Sequence, residues 1–460
     1  MPLSHPPLPE VDHWAPARDI VARFATTAPR YTSYPTAPHF REDAPWEAIH
    51  AAWAKADGPL GVYAHVPYCE RRCLYCGCHV QIARDRALGE TYVDDLLAEL
   101  DVLGRHTDLH RQLEVVALGG GTPTWLARPD LERLVQGLRA RLQPSEDCEW
   151  SIEIDPRSID ATEAAFVRAL GFGRISLGVQ DLDPDVLAAI GRPQTAAQVE
   201  AVAAAFAGMP LNFDLMYGLP RQTEASIRRT VRQAVGLGAT RFAVFGYAHV
   251  PWMRTHQRGM ERFGLPDDQA RLGLMLAARE ALLESGYVAV GLDHYALPTD
   301  SLAVAAEQGR LGRNFMGYSD RAEVDLLGIG VSAIGGVGET FTANAREVRT
   351  WREAVHAGRV SWERGLLREP EDARRGWVIM RLMCDLAADK AAYRDRFDRD
   401  FDADFDAARA TLRPLVEAGL CIDDEQSVRV AGEGWLVARN IAAAFDRHLG
   451  AAGARYSRTV

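Results

Sequence analysis

From Gly61 onward, short apolar or β-branched runs alternate with amphipathic stretches of helical period. The runs predict strands over 62–66, 113–118, 150–154, 174–178, 211–217 and 242–247. Between them the helical period covers 91–104, 129–142, 161–170, 196–206 and 223–236. A helix over 267–285 and a further strand over 287–293 follow. Strands that alternate with helices in this way are parallel and joined by right-handed crossovers. The fold class expected is α/β: a parallel β/α barrel, complete or partial, of six or more strands. The C-terminal ends of such strands converge on one mouth, where functional groups belong.

On either side of the barrel the pattern changes. Residues 1–46 are rich in proline with few periodic apolar positions, and predict an irregular arm. After about residue 369, helices over 373–386, 405–418 and 434–449 accompany two short strands, 419–422 and 427–430, around an acidic turn. That order resembles a small winged-helix module serving as lid or support. The domains expected are an N-terminal arm (1–55), a barrel (56–365) and a mostly helical C-terminal domain (366–460).

The chain has 460 residues, 47% hydrophobic and 25% charged, which excludes wholesale disorder. No run is long and apolar enough to span a membrane, and the first dozen residues lack the order of a secretory signal. A formal net charge of −11 disfavours binding nucleic acid or membrane through the whole surface. It leaves room for a local basic pocket. Of the seven cysteines, Cys148, Cys384 and Cys421 are scattered and read as small buried apolar residues. Cys69, Cys73, Cys76 and Cys78 are clustered in one short loop. Clustered thiols in a chain of this size point to a metal site in a reducing, cytoplasmic compartment.

The loop Cys69-Glu-Arg-Arg-Cys73-Leu-Tyr-Cys76-Gly-Cys78 follows the first strand. Structural zinc takes four ligands, and a closed ferredoxin cluster takes four cysteines. Here a tight trio, Cys69, Cys73 and Cys76, precedes a fourth thiol too near to complete the set, since Cys76 and Cys78 are expected to point apart across Gly77. The trio suits three irons of a cubane with the fourth iron left open; structural zinc is the alternative. Gly119-Gly120-Gly121-Thr122-Pro123 ends the second strand, where bare backbone can approach a ligand and offer N–H groups. Polar groups recur at later strand ends: Glu153, Gln180, Asp214 and His249. Each alone reads equally as a capped turn; together they face one mouth.

The CX3CX2C loop resembles the signature of the radical S-adenosylmethionine (SAM) family. Its extension to CX3CX2CXC, after Gly61-Val-Tyr-Ala-His-Val-Pro-Tyr-Cys69, resembles the coproporphyrinogen dehydrogenase branch. The likeness extends to Arg30-Tyr-Thr-Ser-Tyr-Pro-Thr-Ala37, Gly291-Leu-Asp-His-Tyr295, Arg313-Asn-Phe315, Asp325-Leu-Leu-Gly-Ile-Gly-Val-Ser-Ala-Ile334 and Arg455-Tyr-Ser-Arg458. It implies a [4Fe–4S] cluster on Cys69, Cys73 and Cys76, its open iron chelated by the methionine moiety of SAM, and reductive cleavage to a 5′-deoxyadenosyl radical. It assigns the GGGTP turn to the methionine amino group. It assigns Tyr63, Gly120, Glu153 and Ile334 to this SAM, with Tyr63 also counted as catalytic. Tyr75, Gly121, Thr122, Gln180, Arg192, Asp214 and Ala248 are assigned to a second SAM beside it. The implied reaction is oxidative decarboxylation of two propionates of coproporphyrinogen III to vinyl groups, giving protoporphyrinogen IX, a haem precursor. The implied partners are that substrate and an electron donor and acceptor that the sequence does not identify. A monomer without nucleic-acid or membrane partners is expected.

Acid–base groups near neutral pH cannot take an unactivated propionate β-hydrogen as a proton, so its removal as an atom suits the chemistry. Four propionates call for cations, and Arg30, Arg192 and Arg313 are candidates. Gly191, Gly246 and Met316 stand where the family usually has Asn, Asn and Gln, and bear on substrate or second-SAM contacts. Two other readings are a haem-binding chaperone with a similar cluster loop and a winged-helix DNA-binding regulator. The last segment, 434–449, offers only Arg439, Arg447 and His448 as cations for that role.

Overall fold

The computed structural model describes residues 14–321 and 323–450. The Arg455–Arg458 motif and the first thirteen residues of the arm lie outside the described residues. Twelve strands form one sheet. In chain order they are β1 (Leu60–Val66), β2 (Leu113–Gly120), β3 (Glu149–Ile154), β4 (Arg174–Gln180), β5 (Leu211–Tyr217), β6 (Arg241–Gly246), β7 (Val288–Val290), β8 (His294–Ala296), β9 (Asp325–Ile329), β10 (Ile334–Val337), β11 (Thr340–Asn344) and β12 (Trp362–Leu367). Their spatial order is β12-β11-β10-β9-β1-β2-β3-β4-β5-β6-β8-β7. The seven strands from β9 to β6 are parallel, and antiparallel strands extend both edges. The two ends of the sheet do not pair, so the barrel is partial.

Parallel strands are usually apolar on both faces. Here β4 and β5 alternate. Ile175, Leu177, Val179, Leu211, Phe213 and Leu215 are buried under the helices. Ser176, Asn212 and Asp214 line the opposite, concave face. A polar lining where a β/α barrel normally packs aliphatic layers marks the lumen as a working cavity. The crossover helices are Leu88–Leu103, Arg128–Leu142, Ala161–Ala169, Ala196–Ala205, Glu224–Gly236 and Asp268–Glu284. Asp160, Thr195, Thr223 and Asp267 cap four of them, each accepting from backbone N–H groups of the first turn.

Several expected elements differ. The strand at 287–293 is the hairpin β7–β8, antiparallel at the edge. Its turn holds Gly291 at φ +59°, where an added Cβ would lie 2.1 Å from the Tyr318 ring. A seventh parallel strand, β9, pairs with β1 and lay hidden in the Gly-rich stretch before Ile334. The arm is not irregular throughout: helices span Ala15–Phe24 and Trp46–Lys55. Ala17, Ile20, Val21 and Phe24 sit at helical spacing and face the C-terminal core.

The C-terminal region holds helices Pro370–Cys384, Lys390–Phe397 and Asp406–Glu417 around a three-stranded antiparallel sheet, Ala387–Asp389, Ser427–Val430 and Cys421–Asp423. The expected long helix at 434–449 is a 3₁₀ turn, Gly432–Val437, followed by Ala438–Ala443 only. Gly434 explains the tight start, because a Cβ there would lie 1.9 Å from the Leu420 carbonyl oxygen. The core of this region takes in Tyr31 and Tyr34 from the arm and Leu272 and Leu276 from a barrel helix. Tyr31 donates to Asp446 at 3.0 Å and Tyr34 accepts from Arg447 N at 2.9 Å. The Arg30–Ala37 motif is thereby clamped between the barrel and the C-terminal region.

Candidate active site

The cysteine loop leaves β1 at Pro67 and is pinned from three directions. Its return strand supplies Gln81 N to Pro67 O (2.7 Å) and Ala83 N to Cys69 O (3.0 Å). Leu74 N donates to Ile190 O at 3.0 Å. From the segment after β6, Arg254 Nε, His256 Nε2 and Gln257 Nε2 donate to the carbonyls of Gly77, Cys76 and Tyr75 at 2.9–3.0 Å. Three consecutive carbonyls are thus held outward.

The thiols meet cationic or hydroxyl donors. Arg157 Nη2 and Arg192 Nη1 each lie 3.4 Å from Cys73 Sγ, and Thr122 Oγ1 lies 3.4 Å from Cys69 Sγ. Burial pushes the Cys69 thiol up to about 11, eased by the Thr122 contact. The neighbouring Cys78 thiol lowers Cys76, and Cys76 in turn raises Cys78. Among the described residues no three His, Cys, Asp or Glu side chains are grouped to hold a single metal ion. Thiols close enough to feel one another yet too spread for one ion, backed by arginine donors, fit a polynuclear cluster better than structural zinc.

Each glycine of the triple turn has its own reason. A Cβ on Gly119 would lie 2.7 Å from Glu153 Oε1. One on Gly120 would lie 2.5 Å from His65 Nδ1, and its φ is +112°. One on Gly121 would lie 2.7 Å from the Pro67 carbonyl carbon and the Tyr68 oxygen. Gly121 N donates to Val66 O at 2.8 Å, and Gly120 N to Glu153 Oε2 at 3.1 Å. The bare turn therefore lets a carboxylate, an imidazole and the cysteine loop close around one point. His65 links Tyr63 OH (3.1 Å) to the His79 carbonyl (3.0 Å), and burial lowers its pKa to about 4, so it is neutral.

The lumen is a cavity of about 210 Å³ that brings together Tyr63, Glu153, Ser176, Asn212, Asp214, His294 and Met316. Burial raises Asp214 to about 7, helped by the charge of Glu153. Burial also raises Glu153. Asn212 donates to Ser176 Oγ and Asp214 Oδ1, and its own Oδ1 is buried without a partner. Ile334 enters through the sheet: it lies against Gly328, which is in register with Tyr63. Gln180 sits at a bulge with φ +67°. His249 does not line the lumen; it bridges Tyr247 OH and Glu261.

A second cavity opens between the barrel, the arm and the C-terminal region. Arg30, Arg271, Arg313 and Arg439 line it with Ala248 and a single carboxylate, Asp293. Burial works against the Asp293 charge, but Arg313 and His294 outweigh it and hold the carboxyl well below the usual range. Arg271 Nε and Arg313 Nε are buried without partners. Asp293 donates a wall to this cavity while its neighbour His294 faces the lumen, the two joined by a 2.8 Å hydrogen bond.

Arg192 does not reach either cavity as a spare cation. It is buried, with Asp155 Oδ1 at 3.1 Å, Gln194 Oε1 at 3.0 Å, the Gly178 carbonyl, Tyr75 OH and Cys73 Sγ all on its guanidinium. Arg271 and Arg439, not among the expected anchors, line the arginine cavity instead. Asp155 and Arg157 were also missed, although they follow Glu153 directly. The unusual glycines fit their places. Gly191 has φ +65°, a conformation that Gly and Asn both tolerate, and a Cβ on Gly246 would lie 2.8 Å from Tyr217 OH. Met316 lines the lumen and makes that wall less polar than Gln would.

Residues 63–234 match the model of the Radical SAM superfamily, and residues 369–437 match that of the HemN C-terminal domain. The oxygen-independent coproporphyrinogen III oxidase of Bradyrhizobium diazoefficiens is 40% identical over 440 residues, covering 94% of this chain and 97% of the relative. That of Pseudomonas aeruginosa is 36% identical over 451 residues, covering 96% and 98%. The solved structure of coproporphyrinogen III oxidase (HemN) from Escherichia coli, described as a radical SAM enzyme, superposes with a TM-score of 0.87 at 36% identity, covering 91% of this chain and 97% of that one. With relatives this similar over nearly its whole length, the chain belongs to the oxygen-independent coproporphyrinogen III oxidase family.

Proposed function

We propose that the chain converts two propionate side chains of coproporphyrinogen III to vinyl groups without oxygen, giving protoporphyrinogen IX for haem synthesis. One observation carries this reading: the cysteine loop, the triple-glycine turn and Glu153 converge beside a polar lumen, next to a cavity lined by four arginines. Cys69, Cys73 and Cys76 would hold a [4Fe–4S] cluster. Glu153 and the Gly120 backbone, with Tyr63 and Ile334, would hold SAM. Bound there, the cluster and SAM supply one-electron cleavage of a carbon–sulfur bond and so a hydrogen-atom acceptor.

The chain's residues supply position and charge. Arg157 and Arg192 donate to Cys73 Sγ and so hold it in place in the loop. Neutral His65 fixes the Tyr63 hydroxyl at the lumen wall. Arg30, Arg271, Arg313 and Arg439 offer carboxylate-binding forks to the propionates that do not react. Asp293 keeps the cluster of guanidiniums from repelling itself. Each reacting side chain gives up a hydrogen atom, CO2 and one further electron, and the electron passes to an external acceptor. Tyr75, Gly121, Thr122, Gln180, Arg192, Asp214 and Ala248 are proposed for a second SAM. Asp214 faces the lumen with Glu153, whereas Ala248 lines the arginine cavity, so the second molecule would bridge the two.

Domains at 1–55, 56–365 and 366–460, a monomer, and a cytoplasmic location complete the proposal. Seven unpaired cysteines suit a reducing compartment, and among the described residues no helix is long and apolar enough to cross a membrane. The test is anaerobic incubation of reconstituted protein with SAM, reductant and coproporphyrinogen III. Two CO2 and a divinyl product are expected; stable haem binding with no vinyl product would contradict the proposal and favour the chaperone.

A further inference from the structure

The surface beside the cysteine loop combines exposed apolar side chains with arginines bonded to the loop. Trp252 and Met253 are 55% and 65% exposed, the highest values for large apolar side chains among the described residues. They directly precede Arg254, His256 and Gln257, which hold the carbonyls of residues 75–77. Ile82, 46% exposed, lies in register with Cys69 on the return strand. Apolar surface therefore flanks the loop from two separate segments. Arg72 Nη2 donates to the Val80 carbonyl and Arg254 Nε to the Gly77 carbonyl, both at 3.0 Å, and Arg346 and Glu347 lie near His79, so three guanidiniums and one carboxylate border residues 77–80. Among the described residues none of the three forms an ion pair. Gly77, whose carbonyl Arg254 holds, is exposed in the loop between these segments.

A Trp and Met tip with an arginine rim has the composition of a protein interface. Its positive sign, on a chain of net charge −11, suits an acidic partner, steered by charge. Arg72 and Arg254 are bonded to the loop that carries the thiols, so a carrier docked here would sit beside that loop. We propose that Trp252, Met253 and the rim of Arg72, Arg254 and Arg346 dock an acidic carrier protein that gives up one electron as the centre on Cys69, Cys73 and Cys76 gains one. The proposal rests on the cluster reading above and supplies its missing donor site.

The test uses anaerobically reconstituted holoenzyme and a reduced flavodoxin, an acidic one-electron carrier. Binding is read by calorimetry and cluster bleaching by stopped flow. The double substitution Trp252→Ala with Met253→Asp, and separately Arg346→Glu, should each weaken binding by about tenfold. Raising salt from about 0.05 M to about 0.3 M should weaken the unmodified complex further. Bleaching by dithionite should be unchanged in both variants. Equal affinity in the variants, or affinity indifferent to salt, would overturn the proposal. So would loss of duplex DNA or anionic phospholipid vesicle binding in the variants while flavodoxin binding persists. A protein that binds flavodoxin but retains no iron would refute the cluster reading and not the docking.

Discussion

Arg192 Nη1 lies 3.4 Å from Cys73 Sγ while its Nη2 lies 3.1 Å from Asp155 Oδ1. One buried guanidinium thus joins the cysteine loop to the end of β3. Burial works against its charge, yet Tyr75, Asp155 and Cys73 raise its pKa, so it stays protonated at any working pH. Arg192→Met keeps bulk but leaves buried Asp155 with Arg157 alone. The variant should lose about 3 kcal/mol, read as a lower thermal midpoint, and retain less iron. Arg192→Lys should recover only part of both, because an ammonium cannot serve Asp155 and Cys73 at once.

The triple-glycine turn separates two functions. Gly119→Ala drives a methyl into the Glu153 carboxylate, 2.7 Å away. SAM binding by calorimetry should weaken by about tenfold, roughly 1.4 kcal/mol, with normal iron content. Gly121→Ala meets the backbone of Pro67 and Tyr68 at 2.7 Å, which cannot yield as a side chain can. Its iron content should fall. Equal behaviour of the two variants would contradict this division.

Asp214 sits at about 7 against an ordinary 3.8, raised by burial and by Glu153. The folded protein therefore holds this proton more tightly than the unfolded chain. The stability it contributes is full below about 3.8 and is lost as pH rises towards about 7. Asp214→Asn removes that dependence. The difference in thermal midpoint between variant and unmodified protein should move in the variant's favour across this window; a constant difference would contradict it.

Arg271 and Arg313 carry buried N–H groups without partners in the arginine cavity. Arg271→Ala and Arg313→Met should each raise KM for coproporphyrinogen III by about tenfold or more, with SAM affinity unchanged. Parallel losses in SAM binding would remove these residues from the substrate's side of the site.

Much of this arrangement was legible in the sequence, for physical reasons. The parallel strands announce themselves by apolar runs, and the cysteine spacing and triple glycine are local. What escaped depends on tertiary register. Arg254, His256 and Gln257 lie far from the cysteines in sequence and meet them only because β6 ends beside β1's loop across the barrel mouth. Arg439 is an ordinary arginine until the arm and C-terminal region fold against it. Prolines disguised the helix Ala15–Phe24, although its apolar positions recur every three or four residues.

The ligand trio is tested by substitution. Cys69→Ser, Cys73→Ser and Cys76→Ser should each abolish cluster assembly. Cys78→Ser should leave iron content nearly normal while impairing turnover, because Cys78 neighbours Cys76 in the loop without belonging to the trio. Loss of the cluster in Cys78→Ser would mean four protein ligands and no open iron.

The most direct measurement is the paramagnetic resonance spectrum of the reduced, anaerobically purified protein before and after SAM is added. A shifted spectrum is predicted, since SAM would occupy the iron that Cys69, Cys73 and Cys76 leave vacant. An identical spectrum would contradict the assignment at its root.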